Sequence, residues 1–164
     1  MAGPVDTAKV NARRALRFAT VGDLLTELDR LESADRAGSL RTLGNWTPGQ
    51  IFGHLAAWIE YGYVGFPMGR PPWFIRWLLR RKGKKMLREG MPAGVRIPFT
   101  EHGTYGTEVL STSDGLTRLR AALDRLQQGE PPKFDSPAFG PLSPADRLQI
   151  HLRHAELHLG FLAT

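Results

Sequence analysis

The chain has 164 residues, a formal net charge of +6 and no cysteine. A chain of this length suits one domain and can bury roughly two-thirds of the surface that it exposes when unfolded. Without cysteine there can be no disulfide, thiolate nucleophile or thiolate metal site, so any metal must be held by His, Asp or Glu. We therefore expect a single domain over residues 1–164 and regard residues 1–13 as candidates for disorder.

The first half of the chain contains two helix signals. Thr20 can cap a helix over about residues 20–35, in which apolar residues recur at three- and four-residue steps. These apolar residues are Leu24, Leu25, Leu28 and Leu31. Thr47 begins a stronger signal, because a proline follows it and Gln50 can close a capping box. This pattern predicts a helix over Pro48–Tyr63.

The second half of the chain repeats the same pattern twice. We predict one helix that is capped by Ser113 and stopped by Gly129, with Leu116, Leu119, Leu123 and Leu126 on one face. The last helix begins with Ser143 as its cap and Pro144 after it, and is expected to continue to about Leu162.

A connection of about 45 residues separates the two pairs of helices, and so long a connection is usually functional or a crossover. It contains a predicted short basic helix at about Trp73 to Arg88. Strand signals are few. The expected fold is therefore all-α: a four-helix bundle with a long crossover and a short basic helix between its second and third helices.

Histidine is concentrated near the carboxyl end, where "HLRHAELH" places His151, His154 and His158 within a helical stripe about 60° wide. His154 and His158 have the i, i+4 spacing with which one helix can offer two imidazoles to an ion. His54 lies among apolar residues in the second predicted helix. Such a histidine is either hydrogen-bonded in the core or bound to something, and the residues alone favour the hydrogen-bonded alternative.

Two segments resemble a known superfamily. They are the segment from Trp46 to His54 and Leu55, and the His154-x-x-x-His158-x-Gly160 motif. Both resemble the DinB/YfiT-like superfamily, four-helix bundles that are grouped with metal-dependent hydrolases. The similarity covers residues 14–163 and is greatest to a branch known only as a domain of unknown function.

The resemblance implies a divalent metal held by His54, His154 and His158, with His151 as a neighbour or spare ligand. Three imidazoles leave a position open, as in catalytic sites. Zinc and nickel are the leading candidates, with iron and manganese as alternatives. Many relatives have glutamine where this chain has Phe161. The activity implied is metal-dependent hydrolysis, or transfer with a low-molecular-weight thiol, on an unidentified small molecule.

Further residues are weaker candidates for the site. Glu60 and Glu156 could act as a general base, but their offsets from the histidines favour solvated surface charges. Tyr61 could offer its hydroxyl to a ligand, although core packing is favoured. Glu101 and His102 could reach over the site from the crossover.

Residues 70–90 hold eight Lys or Arg and one acidic residue, together with several aromatic and aliphatic residues. We expect the aromatic residues to pack on the bundle while the charges face water. The alternatives are a helix on an anionic membrane surface and an anion-binding patch. Specific nucleic-acid recognition has little support, because no known motif is present.

A second class of function stays open from the sequence: a non-catalytic bundle with structural histidines that acts by dimerisation or by binding an anionic surface. No signal peptide and no run of 18 or more apolar residues is evident. We therefore expect a soluble cytoplasmic protein.

Overall fold

A computed structural model of the protein describes residues 4–97, 100 and 103–164. Within these ranges the chain is mostly helical, as predicted. Its five α-helices are α1 Val21–Arg36, α2 Pro48–Val64, α3 Trp73–Glu89, α4 Thr112–Gln127 and α5 Pro144–Leu159. A 3₁₀ helix, Thr7–Lys9, precedes them, and β1 (Arg41–Thr42) pairs antiparallel with β2 (Leu162–Ala163).

The predicted N-caps are confirmed for three of the helices and wrong for α4. Thr20 and Thr47 form complete capping boxes, and the Ser143 hydroxyl accepts a hydrogen bond from the Asp146 amide. Helix α4 is capped by Ser111 instead of Ser113. The reason is that Ser111 precedes Asp114 by three residues, so its hydroxyl reaches the Asp114 amide as Ser143 reaches its own partner.

The last helix ends earlier than predicted. Helix α5 stops at Leu159, and Leu162 forms part of β2 instead of the final turn. In this short sheet Thr42 lies opposite Leu162, which is fully buried. Pairing with β1 satisfies the backbone N–H and C=O groups of β2, which would be paired within the helix if α5 continued.

The core is shared by α1, α2, α4 and α5, and α2 packs most extensively against α4. The largest fully buried side chains are Phe52, Leu24, Leu28, Leu31, Leu119, Leu123, Leu152, Leu159, Leu162 and His54. His54 is therefore part of the packed interior, so its ring nitrogens need partners there.

Helix α3 lies outside this core, and the prediction that its aromatic residues pack on the bundle is wrong. Trp73 is 80% exposed and Trp77 is 57% exposed, and Phe74 and Leu78 are exposed as well. The side of α3 that contacts the protein is centred instead on Gly83, its one buried residue among those described. None of the helices in the described ranges is long and apolar enough to cross a membrane.

Candidate metal centre

Three histidines from two helices meet beside the core. His54 comes from α2, and His154 and His158 come from successive turns of α5. One ring nitrogen of each lies within 4.8 Å of the others. The Nε2 atoms of His54 and His154 are 3.1 Å apart. The structure thus brings together the three residues that the family resemblance implies as ligands.

The ring of His54 is oriented by the main chain of the loop before α4. Its Nδ1 lies 2.9 Å from the carbonyl oxygen of Tyr105. A carbonyl oxygen only accepts hydrogen bonds, so Nδ1 donates the proton and the lone pair of the neutral ring belongs to Nε2. That Nε2 faces His154. A backbone partner on the outer ring nitrogen is how metal-binding histidines are commonly held.

Burial keeps the three histidines neutral. It lowers the pKa of His54 to about 4, against the hydrogen bonds to the Tyr105 and Gly106 backbone, which would raise it. Burial first, and then repulsion from neighbouring histidines, holds the pKa of His154 well below its usual range. The pKa of His158 is likewise lowered by burial first, and then by His54 and Arg13. Because a metal competes with the proton for an imidazole nitrogen, neutral rings are the form that binds a metal.

Trp46 is a residue of the site whose role was not predicted from the sequence. Its ring stacks on that of His158, with centroids 5.4 Å apart and planes 7° apart, and also contacts His54. Trp46 immediately precedes the cap of α2, so the helix start holds it at the cluster. The available signal for a role at the site was its place at the start of the segment from Trp46 to Leu55 that resembles the superfamily.

Trp58 lies on the other side of the cluster, one turn after His54. Its ring contacts His54 and His154, at centroid distances of 6.1 and 5.8 Å. Its indole N–H is buried and has no partner among the residues that the structure describes. A buried donor without a partner beside the histidines is the kind of group that a bound ligand satisfies.

His151 and Tyr61 lie close to the cluster without joining it. His151 lines a small internal void together with His154 and the apolar residues Leu24, Leu55, Ile59, Leu119, Leu123 and Ala155. Burial and the charge of Arg147 lower the pKa of His151 to about 3. The Tyr61 ring packs on Trp58 and Phe66, so one aromatic ring separates it from the histidines.

The two carboxylates considered as bases are both held in ion pairs, so the prediction that they are solvated surface charges is wrong. Glu156 is buried, accepts a hydrogen bond from the Phe18 amide and pairs with buried Arg153. Glu60 is half-buried and lies 2.7 Å from the guanidinium of Arg118. Both carboxylates are committed to structural partners. Glu101 and His102 lie outside the described residues.

Phe161, at the position where many relatives have glutamine, is also structural. Its ring is buried, and the guanidinium of Arg13 lies 4.7 Å from the ring centroid. Phe161 therefore packs against the segment before α1. The described residue that orients a site histidine most directly is Tyr105, through its backbone carbonyl.

The donor set fits a first-row divalent ion. A tetrahedral ion with metal–nitrogen bonds of about 2.0–2.1 Å places its nitrogen ligands about 3.3 Å apart. The separation of 3.1 Å between the Nε2 atoms of His54 and His154 is close to that value. Three neutral imidazoles also suit zinc, nickel, iron and manganese better than calcium or magnesium, which prefer oxygen ligands.

These observations define the class: a mostly helical protein with three clustered histidines that could bind a metal ion. The chain belongs to the DUF1569 family, a protein family of unknown function, whose sequence model matches residues 10–164. Searches among curated proteins and among solved structures found no significant match.

Proposed function

We propose that the protein binds a divalent metal through His54, His154 and His158 and uses it on a small molecule. The observation that carries the proposal is the orientation of His54. Its Nδ1 is engaged by the Tyr105 carbonyl, which leaves Nε2 free and pointing at a second imidazole. Zinc and nickel are the preferred ions, and iron and manganese are the alternatives.

A DinB/YfiT-like fold is part of the same proposal. Two features support it: α1, α2, α4 and α5 share one core, and a long connection that carries α3 joins α2 to α4. The histidines also occupy the helices that the resemblance implies, one on the second core helix and two on the last.

A metal with three imidazole ligands and an open position can activate water near neutral pH or bind a thiolate. Around it, the residues of the chain have separate tasks. The Tyr105 carbonyl keeps the His54 proton on Nδ1, Trp46 covers His54 and His158, and the indole N–H of Trp58 can donate to a bound ligand. The proposed activities are hydrolysis and low-molecular-weight-thiol transfer.

Elemental analysis of untagged protein, purified without chelators, tests metal binding. We expect close to one equivalent of zinc, nickel, iron or manganese per chain. The H154A/H158A variant should keep its helical circular dichroism and lose the metal, while H151A, which changes a neighbouring histidine, should keep it. Metal content that survives in H154A/H158A would contradict the ligand assignment.

The two activities are separated by the co-substrate that turnover requires. The metal-loaded protein is assayed against ester and amide panels without thiol, and against electrophilic substrates with bacillithiol, mycothiol or glutathione. Turnover that needs no thiol indicates hydrolysis, and turnover that needs it indicates transfer. If the purified protein contains no metal, takes none up and shows no turnover, the results would instead favour a non-catalytic module. His54 and His154 would then be hydrogen-bonded to each other.

A further inference from the structure

Helix α3 has a net charge of +6, equal to the formal net charge of the whole chain, and leaves one side free. The segment Trp73–Glu89 contains seven Lys or Arg residues and a single acidic residue. The opposite side is fixed to the protein at three points. Gly83 lies against Phe139, the Arg80 guanidinium donates to the Phe139 carbonyl, and Arg153 donates to the Leu87 carbonyl. The free side therefore faces away from the rest of the protein.

The free side is divided along the helix axis. Its first two turns expose four large apolar side chains: Trp73, Phe74, Trp77 and Leu78, which are 80, 54, 57 and 45% exposed. Its later turns carry the cations Arg81, Lys84, Lys85 and Arg88, all exposed. At 100° per residue these eight side chains fall within an arc of about 140°. One flat surface parallel to the helix could touch all of them.

We infer that this free side of α3 docks on an anionic lipid bilayer. A bilayer surface accepts apolar side chains between its headgroups and pairs cations with its anionic headgroups, which matches tryptophans and cations along a single helix face. Arg81 already lies 5.0 Å from the centroid of the Trp77 ring, so cation and aromatic ring are presented together.

Charge argues against a second copy of the chain as the occupant. Two α3 helices would bring their seven cations each into proximity, which is repulsive at low ionic strength. Among the described residues, α3 neutralises one of its own cations with a carboxylate, Lys85 with Glu89 at 3.6 Å. Arg81 and Lys84 have no carboxylate partner there, so they are free to meet lipid phosphates and carboxylates.

Vesicle co-sedimentation of the full chain tests the inference. We expect binding to vesicles of phosphatidylcholine with phosphatidylserine, weaker binding to phosphatidylcholine alone, and loss of binding at high salt. The R81Q/K84Q variant should bind about thirtyfold more weakly, because each cation beside an anionic membrane contributes about fivefold. The matched control K9Q/R41Q removes two exposed cations elsewhere and should bind like the parent.

Tryptophan quenching by brominated lipid checks that the apolar turns enter the bilayer. Quenching should disappear in W73S/W77S, since Trp46 and Trp58 lie at the histidine cluster. The V109S control changes a 79% exposed apolar residue outside α3 and should leave quenching unchanged. Unfolding curves confirm that each variant is folded. Equal binding by R81Q/K84Q and the parent, or binding to poly-glutamate but not to vesicles, would overturn the inference.

Discussion

At the scale of single residues, His54 differs from the other two histidines in having a ring nitrogen held by the main chain, as far as the described residues are concerned. The Tyr105 carbonyl accepts its Nδ1 proton at 2.9 Å, and the residue is almost fully buried. This combination fixes both the tautomer and the protonation state of the ring. Its consequences can be measured without knowing the metal.

The metal-free protein should lose stability as the pH falls from about 6.5 to about 4. Over this range the unfolded chain protonates His54, whereas the folded protein does not, because burial lowers the pKa of His54 to about 4. His54 alone accounts for up to about 3 kcal/mol at the acid end. Urea unfolding at several pH values measures the slope, which should be smaller in H54Q. A His54 ring that titrates near 6.5 by NMR would contradict this assignment.

Trp46 should be needed for metal affinity although it is not a ligand. Its ring stacks on His158 and contacts His54, so W46A removes the wall that orients both imidazoles. We expect metal affinity to fall about tenfold to a hundredfold, the usual effect of losing a partner that orients ligands. Competition with a chelating dye measures it. W46F should recover most of the affinity, and W73A, the same change at an exposed site, should have no effect.

At the scale of elements, α2 and α4 approach each other through glycine. A Cβ atom at Gly115 would lie 2.6 Å from the carbonyl oxygen of Gly49, and one at Gly49 would lie 2.1 Å from the carbonyl oxygen of Leu110. Both contacted atoms belong to the backbone, so they cannot move aside as the end of a flexible side chain can. The close approach places α2, and with it His54, against the start of α4.

Alanine at Gly115 should therefore destabilise the protein even though alanine favours helices. We expect a loss of about 1–3 kcal/mol from overpacking. G22A is the control, because the nearest atom to its added Cβ is the Thr20 hydroxyl at 3.4 Å. That variant should be neutral or stabilised by up to about 1 kcal/mol. Thermal and urea unfolding compare the stability of the G115A and G22A variants. Equal stability changes in both would show that the contact between α2 and α4 tolerates a side chain at Gly115.

The helices and the pairing of His154 with His158 could be predicted because their signals are local, whereas His54 was joined to that pair only through the family resemblance. Caps such as Thr47 and the i, i+4 spacing of His154 and His158 depend on neighbours in the chain. The role of Tyr105 could not be predicted, since it lies in an irregular loop and acts through its carbonyl. The exposure of Trp73 was missed because apolar residues at helical spacing do not indicate whether a helix joins the core.

At the scale of the whole molecule, the histidine cluster joins distant parts of the chain. His54 belongs to α2, and His154 and His158 to α5, which follows one hundred residues later. The three histidines are brought together only in the folded chain. A metal that binds there binds the folded state and shifts the unfolding equilibrium in its favour.

Added zinc or nickel should consequently raise the unfolding temperature of the metal-free protein. At a free-metal concentration one hundred times the dissociation constant, the gain is about 2.7 kcal/mol. For a chain of this size that is a rise of several degrees. Differential scanning calorimetry with and without metal measures it. H154A/H158A should show no rise, while H151A should respond like the parent, because His151 lies outside the cluster. An equal rise in H154A/H158A would place the metal elsewhere on the protein.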